Sequence, residues 1–208
     1  MIEHNDKVVM IDAGFPSKLE AILKKIKKTG IQMEDIEMMI ATHAHHDHGG
    51  NGRYFQEQYG IKVIGGKGDL ALFEAGINDE LCPTNAFTRF LKSIMDDHFE
   101  PYQPDILVDS IYNLSEFGID GTIYPMAGHT EGSLAIKIAD QLFVGDVIRG
   151  KPLSNNKPAR HYFLCDLDKN VENIKYLLSL EECEQWYTGH FGELKRADVV
   201  DFVGKLEE

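Results

Sequence analysis

The chain is poor in the residues that mark several large functional classes. Only three cysteines occur in 208 residues, Cys82, Cys165 and Cys183. They are odd in number, widely spaced and without a Cys-x-x-Cys pair, which argues against a disulfide framework, a zinc ribbon or a thioredoxin-like site; they read as reduced, buried thiols. No apolar run is long enough to cross a bilayer, and Glu3, His4, Asp6 and Lys7 leave no room for a signal-peptide core at the N-terminus. No membrane partner and a cytoplasmic location are therefore expected. Positive charge is scarce as well, since 21 Lys and Arg against 34 Asp and Glu leave a formal net charge of -13. Nucleic-acid binding needs cations against phosphates, so no nucleic-acid partner is expected. The one basic cluster, Lys24, Lys25, Lys27 and Lys28, is interleaved with Ile22, Leu23 and Ile26 and reads as the solvated face of a helix.

What remains is an ordinary globular composition, 43% hydrophobic and 26% charged, with a length that suits a single domain over residues 1–208. Val8 to Ile11 reads as a buried strand leaving through Asp12-Ala13-Gly14. Ser17 is expected to cap a helix carrying Leu19, Ile22, Leu23 and Ile26 and closed by Gly30. A strand at Met38 to Ala41, a helix from Gly50 to Tyr59 and a strand at Lys62 to Ile64 follow. Residues 67–104 carry helical patterns at Leu70 to Ala75 and Ala86 to Met95, punctuated by Pro83 and Pro101, and read as a helical insertion that forms a lid. Four apolar segments come next, Ile106 to Val108, Gly121 to Tyr124, Leu134 to Ile138 and Gln141 to Val144. A helix over Leu167 to Leu180, a strand at Gln185 to Tyr187 and a last helix over Ala197 to Leu206, with Val199, Val200 and Val203 inward, complete the order. This is an α/β pattern that two mixed sheets covered by outer helices accommodate.

The chemistry concentrates in Thr42-His43-Ala44-His45-His46-Asp47-His48-Gly49-Gly50, with four histidines and an aspartate inside six residues. Neutral imidazole nitrogens and carboxylate oxygens are the ligands that zinc and similar divalent ions take from protein. Three further ligand types, His129, Asp146 and His190, each lie just past an apolar segment and each follow a glycine. In a layered fold strand ends on one edge converge, so these turns can build one site on a rigid frame. Ser133 and Cys165 stand in no nucleophile-elbow pattern and are expected to have turn or core roles.

Taken in order, Asp12-Ala13-Gly14, Thr42 to His48, Gly128 to Ser133, Gly145-Asp146 and Gly189-His190 resemble the metallo-β-lactamase fold superfamily. Its signature is His-x-His-x-Asp-His followed by a His, a bridging Asp and a final His. The resemblance implies a four-layer αββα sandwich with a dinuclear site on one edge of the two sheets. It assigns His43, His45 and His129 to a first metal and Asp47, His48 and His190 to a second, with Asp146 bridging. Asp12 would brace the metal loop without binding metal, and His46 would occupy a variable position.

Two divalent ions, zinc foremost with iron and manganese as alternatives, are thus the expected cofactors. The implied chemistry is attack by a metal-bridging hydroxide on an ester, thioester or lactone bond of a small substrate, with Asp47 managing the proton. Asp146 stands where true β-lactamases of the family carry Cys or Ser, which points to other hydrolytic relatives. Arg149, His161 and Tyr162, in the stretch after Asp146, are candidates for substrate contact. The alternatives are a mononuclear iron enzyme like the persulfide dioxygenases, or a metal-binding module without catalysis. The family has two strands before the position of Asp12, and only 11 residues precede it here. An absent or shortened first strand is expected, with either a homodimer or an upstream start to compensate.

Overall fold

The computed structural model describes residues 1–4, 7–95, 97–180 and 182–206. Among them the first sheet runs β1 (Ile2–His4), β2 (Lys7–Ile11), β3 (Ile36–Ile40), β4 (Lys62–Gly66) and β5 (Ile106–Val108). β1 is antiparallel to β2 and the other neighbours are parallel. The second sheet is ordered β13 (Glu193–Lys195), β12 (Gln185–Thr188), β9 (Gln141–Gly145), β8 (Leu134–Ile138), β7 (Gly121–Pro125) and β6 (Tyr112–Asn113). Here β12 pairs with β9 in parallel and the remaining neighbours are antiparallel. A separate hairpin joins β10 (Arg149–Lys151) to β11 (Ser154–Ala159).

Strand side chains alternate between faces, and the alternation creates three apolar layers. Val9, Met38, Ile40 and Ile64 of the first sheet meet Ile123, Leu134 and Ile136 of the second, forming the core between the sheets. On the outer face of the first sheet, Val8, Met10, Met39 and Val63 pack against α1 (Leu19–Thr29) and α2 (Gly52–Tyr59) through Ile26 and Phe55. On the outer face of the second, Leu142, Val144 and Trp186 pack against α5 (Leu167–Leu178) and α6 (Arg196–Gly204) through Ile174, Leu177 and Val199. The result is the αββα sandwich of two mixed sheets. Two shorter helices, α3 (Leu70–Ala75) and α4 (Ala86–Lys92), lie in the 67–104 segment.

Several local readings change in three dimensions. The first strand is present, shortened to three residues at the sheet edge. Ser17 does not cap α1: Pro16–Lys18 is a turn of 3₁₀ helix, and Lys18 is the N-cap with no side-chain cap bond. Val200 faces out and is 43% exposed, because α6 docks through Val199 and Val203, with Phe202 partly buried beside them. The β10–β11 hairpin is polar in sequence, so no apolar alternation marks it; backbone pairing holds it. Cys82 and Cys165 are not reduced thiols but a disulfide, with Cα atoms 5.0 Å apart across a sequence separation of 83. An antiparallel bridge between Pro83 and Phe163 brings the two segments together, a proximity that spacing along the chain does not encode. Cys183 is free and buried.

One buried carboxylate ties the two halves. Asp69, at the start of α3, accepts hydrogen bonds from Ala44 N (3.0 Å), Thr130 Oγ1 (2.8 Å) and Gly132 N (2.7 Å). It therefore fixes the histidine loop to the loop carrying His129. Replacing it would leave two buried amides without partners, so Asp69→Ala should cost about 3 kcal/mol. At about 2–4 °C per kcal/mol for a chain of this size, the melting temperature should fall by about 6–12 °C. A calorimetric shift below about 2 °C would contradict this role.

Candidate metal centre

The ligand-type side chains sit on loops just past four strands. The His43–His48 turn follows β3, His129 follows β7, Asp146 follows β9 and His190 follows β12. Backbone bonds lock the strand ends together: Leu134 N donates to Thr42 O (2.7 Å), Ala13 N to His48 O (2.7 Å) and Gly189 N to Gly145 O (2.8 Å). Two glycines permit the close approach. Gly145 takes φ +48° over the Thr42 side chain, and a Cβ on Gly189 would run into the Asp146 carboxylate and the His48 ring.

His43 Nε2, His45 Nδ1 and His129 Nε2 form a nearly equilateral triangle, 3.1, 3.2 and 3.1 Å on a side. Three nitrogens bound tetrahedrally at about 2.0 Å from a zinc ion stand about 3.3 Å apart. The triangle therefore fits a cation above it. Each imidazole uses its other nitrogen elsewhere: His43 Nδ1 meets Thr42 Oγ1 (3.1 Å), His129 Nδ1 meets Phe163 O (2.7 Å) and His45 Nε2 meets Asp79 Oδ1 (2.8 Å). Such outer partners set ring orientation and tautomer.

A second cluster abuts the first. His190 Nε2 lies 3.2 Å from Asp47 Oδ2 and 3.3 Å from Asp146 Oδ2, and His48 Nε2 lies 3.6 and 3.5 Å from the same two atoms. Asp146 Oδ2 also lies 3.5 Å from His129 Nε2 and 3.9 Å from His43 Nε2, so it reaches both clusters. Asp12, at φ +58°, holds this side: it accepts from Thr42 N (2.7 Å) and Thr42 Oγ1 (3.0 Å) and pairs with His48 Nδ1 (2.8 Å). Two buried atoms, His48 Nε2 and Asp146 Oδ1, have no hydrogen-bond partner. Cations would satisfy them, and the donor set is one that zinc, iron and manganese accept.

Proton affinities divide the two clusters. Burial, reinforced by neighbouring imidazoles, pushes His43 and His129 well below the usual histidine range, so both are neutral and ready to ligate. At His48 burial acts the same way, but Asp146, Asp47 and Asp12 outweigh it and raise the value. Asp146 is the main reason that His190 is pushed up to about 10. Burial would raise Asp47 and Asp146; their histidine neighbours outweigh it and hold both carboxylates ionised.

The remaining candidates lie around the mouth. A cleft of about 210 Å³ opens over the clusters, walled by Phe15, Leu81, Leu91, Met95, Tyr162 and Phe191, with His161 also on its lining. His161 is buried, and its Nε2 stands 3.0 Å from Asp146 Oδ2, closer to the centre than a substrate-contact assignment implies. Arg149 stacks behind Tyr162, with its guanidinium carbon 3.7 Å from the ring centroid, and donates to Gly150 O (2.7 Å). His46 is buried and held by Asn78, which accepts from its backbone N–H (2.8 Å) and meets its Nδ1 (3.1 Å). Ser133 bonds within its own turn, accepting from Thr130 N. Asp69 and Asp79 escaped the sequence reading because an isolated aspartate, one at the start of a short helix and one in a loop, carries no motif.

Comparison with known proteins agrees with this fold. The family model described as the metallo-beta-lactamase superfamily matches residues 1–185. A probable metallo-hydrolase of Methanocaldococcus jannaschii is 25% identical over 142 residues, covering 68% of this chain and 63% of its own length. The subclass B3 metallo-beta-lactamase BJP-1 of Bradyrhizobium japonicum superposes with a TM-score of 0.68 at 18% identity, over 99% of this chain and 83% of that one. TTHA1623, solved in a di-iron-bound form, gives 0.67 at 22% identity, over 96% and 89%. The structural likenesses concern the fold, and the family match extends along most of the sequence. The chain belongs to the metallo-beta-lactamase superfamily.

Proposed function

We propose that the protein is a dinuclear metal-dependent hydrolase that cleaves an ester, thioester or lactone bond of a small substrate. The observation that carries this reading is the pair of abutting ligand clusters sharing Asp146 Oδ2. His43, His45 and His129 would hold one cation and Asp47, His48 and His190 the other, with Asp146 between them. Zinc suits this donor set best, with iron and manganese as alternatives. Bound there, two divalent ions supply an acidified water and polarise the bond under attack. Asp47 lies on the cleft lining with an ionised carboxylate and is placed to take the proton of the attacking water. Tyr162 and His161 border the space where a substrate would lie, with Arg149 bracing Tyr162 from behind. The cleft walls carry no lysine or arginine among the described residues, which favours a neutral, apolar acyl group over an anionic substrate.

The whole chain would act as one functional domain, with residues 67–104 as an inserted wall of the cleft through Leu81, Leu91 and Met95. A homodimer remains the proposed assembly, and the acidic charge argues against nucleic acid. No helix among the described residues is long and apolar enough to cross a membrane. The cytoplasmic location is proposed on the sequence alone; the Cys82–Cys165 bond then belongs to a redox-active pair, since structural disulfides are rare there.

Purification without chelators followed by metal analysis and a panel of ester, thioester, lactone and phosphodiester substrates tests this function. Two ions per chain and a hydrolysed carbonyl substrate are expected, with kcat/KM reduced about 1,000-fold or more in Asp146→Ala. One iron per chain with oxygen consumption would instead establish the mononuclear oxygenase, and metal without turnover the non-catalytic module.

Proton bookkeeping gives a second test. With His190 pushed up to about 10, the metal-free chain carries a proton there at neutral pH, and a ligating imidazole must shed it. Metal uptake at pH 7 should therefore release protons, seen as heats that vary with buffer ionisation enthalpy, and affinity should climb between pH 6 and pH 9. In the metal-free chain the same raised value adds stability that is fully present below about pH 6.5 and is lost as pH rises through about 10. Buffer-independent heats would contradict the assignment of His190.

A further inference from the structure

Two of the partners that orient the first cluster come from the segments joined by the disulfide. Asp79, three residues before Cys82, holds His45 Nε2 at 2.8 Å and is largely buried, at 23% side-chain exposure. Phe163, two residues before Cys165, offers its carbonyl to His129 Nδ1 at 2.7 Å. Between these points the segments share a short antiparallel contact: Leu164 N donates to Cys82 O (2.9 Å), and Thr84 N and Oγ1 donate to Tyr162 O (3.0 Å each). Residues 78–84 belong to neither helix nor strand; beyond that contact they are held by Asn78, through Asp97 O and His46, by the buried Leu81, whose carbonyl accepts from Lys92 Nζ (2.8 Å), and by the disulfide. The disulfide is the covalent tie between the segment carrying Asp79 and the one carrying the Phe163 carbonyl, and Cys165 is exposed to solvent.

We propose that Asp79 is the positioning residue for His45, and that the Cys82–Cys165 disulfide clamps Asp79 and the Phe163 carbonyl onto the first metal triangle, making metal affinity there dependent on the redox state of the pair. Reduction by a dithiol proceeds by thiolate attack on one sulfur through a mixed disulfide. The S–S bond breaks, two electrons and two protons are delivered to yield two cysteine thiols, and the dithiol becomes a disulfide. A small-molecule disulfide drives the reverse. With the bond open, Asp79 separates from His45, whose Nε2–H then lacks the acceptor that keeps Nδ1 free to ligate. Loss of such an outer partner weakens metal affinity by about 10–100-fold.

The inference rests on the metal-binding part of the proposed function and is independent of which bond is hydrolysed. The test is competition for zinc against a chromophoric chelator on the full chain, with the visible spectrum of the cobalt-loaded protein reporting ligand geometry. Intact mass without reductant should place the wild-type chain two hydrogens below its thiol form. Asp79→Ala should weaken binding of the tighter ion about 10–100-fold. Cys82→Ala/Cys165→Ala should weaken it in the same direction, and combining the three changes should give clearly less than the sum of the two losses, because both act through Asp79. Reducing the wild-type chain, removing the reductant and reoxidising with glutathione disulfide should lower and then restore affinity; this cycle decides the matter if the cysteine variant fails to fold. Free thiols at Cys82 and Cys165 in the native chain, an affinity untouched by reduction, or full additivity of the two losses would overturn the proposal. A wild-type chain that binds no zinc at all would instead overturn the metal-centre reading on which it rests.

Discussion

The structure is organised around the cost of burying one carboxylate. Asp146 Oδ2 lies between 3.0 and 3.9 Å from nitrogens of His161, His190, His48, His129 and His43, buried at the base of the cleft. One oxygen cannot accept from five imidazoles, and histidines carrying positive charge would repel one another at these distances. Divalent cations held by these side chains would resolve both problems, because lone pairs would then point at charge and the carboxylate would neutralise what the ions bring. The low proton affinity of His43 and His129 and the high one of His190 are two faces of this arrangement.

Around that centre stand three further aspartates, each pinning a different element. Asp12 sets the His48 ring, Asp69 joins the histidine loop to the His129 turn, and Asp79 sets the His45 ring from the wall of the cleft. A ligand whose unused nitrogen is tied to a fixed acceptor arrives in one tautomer and one orientation, which lets a loop behave as rigidly as a strand. The sandwich does its part through the three apolar layers, which hold the strand ends in register while the loops above them carry the polar chemistry.

The candidate ligand set was legible in the chain because its residue types have few other reasons to occur together. Four histidines and an aspartate between 43 and 48 make a motif, and His129, Asp146 and His190 declared themselves by following apolar segments and glycines. The main strands and helices were legible for a related reason: period-2 and period-3.6 burial leaves its mark in the residues themselves. Where burial does not dictate the element, the mark is missing. The β10–β11 hairpin carries no apolar alternation, β13 is a three-residue edge strand, and the outward turn of Val200 depends on how α6 rolls against its sheet.

The sequence by itself determined the layer architecture, the identity of the clustered histidine and aspartate side chains and the order in which the chain delivers them, since periodicity and side-chain chemistry are local properties. Tertiary structure alone decided which distant partners meet. It set Asp79 against His45, drew His161 in beside Asp146 and paired Cys82 with Cys165 over a separation of 83 residues. Those meetings follow from how the 67–104 segment packs across the mouth of the sheets, a choice made by the sum of many weak contacts and written in no single stretch of chain.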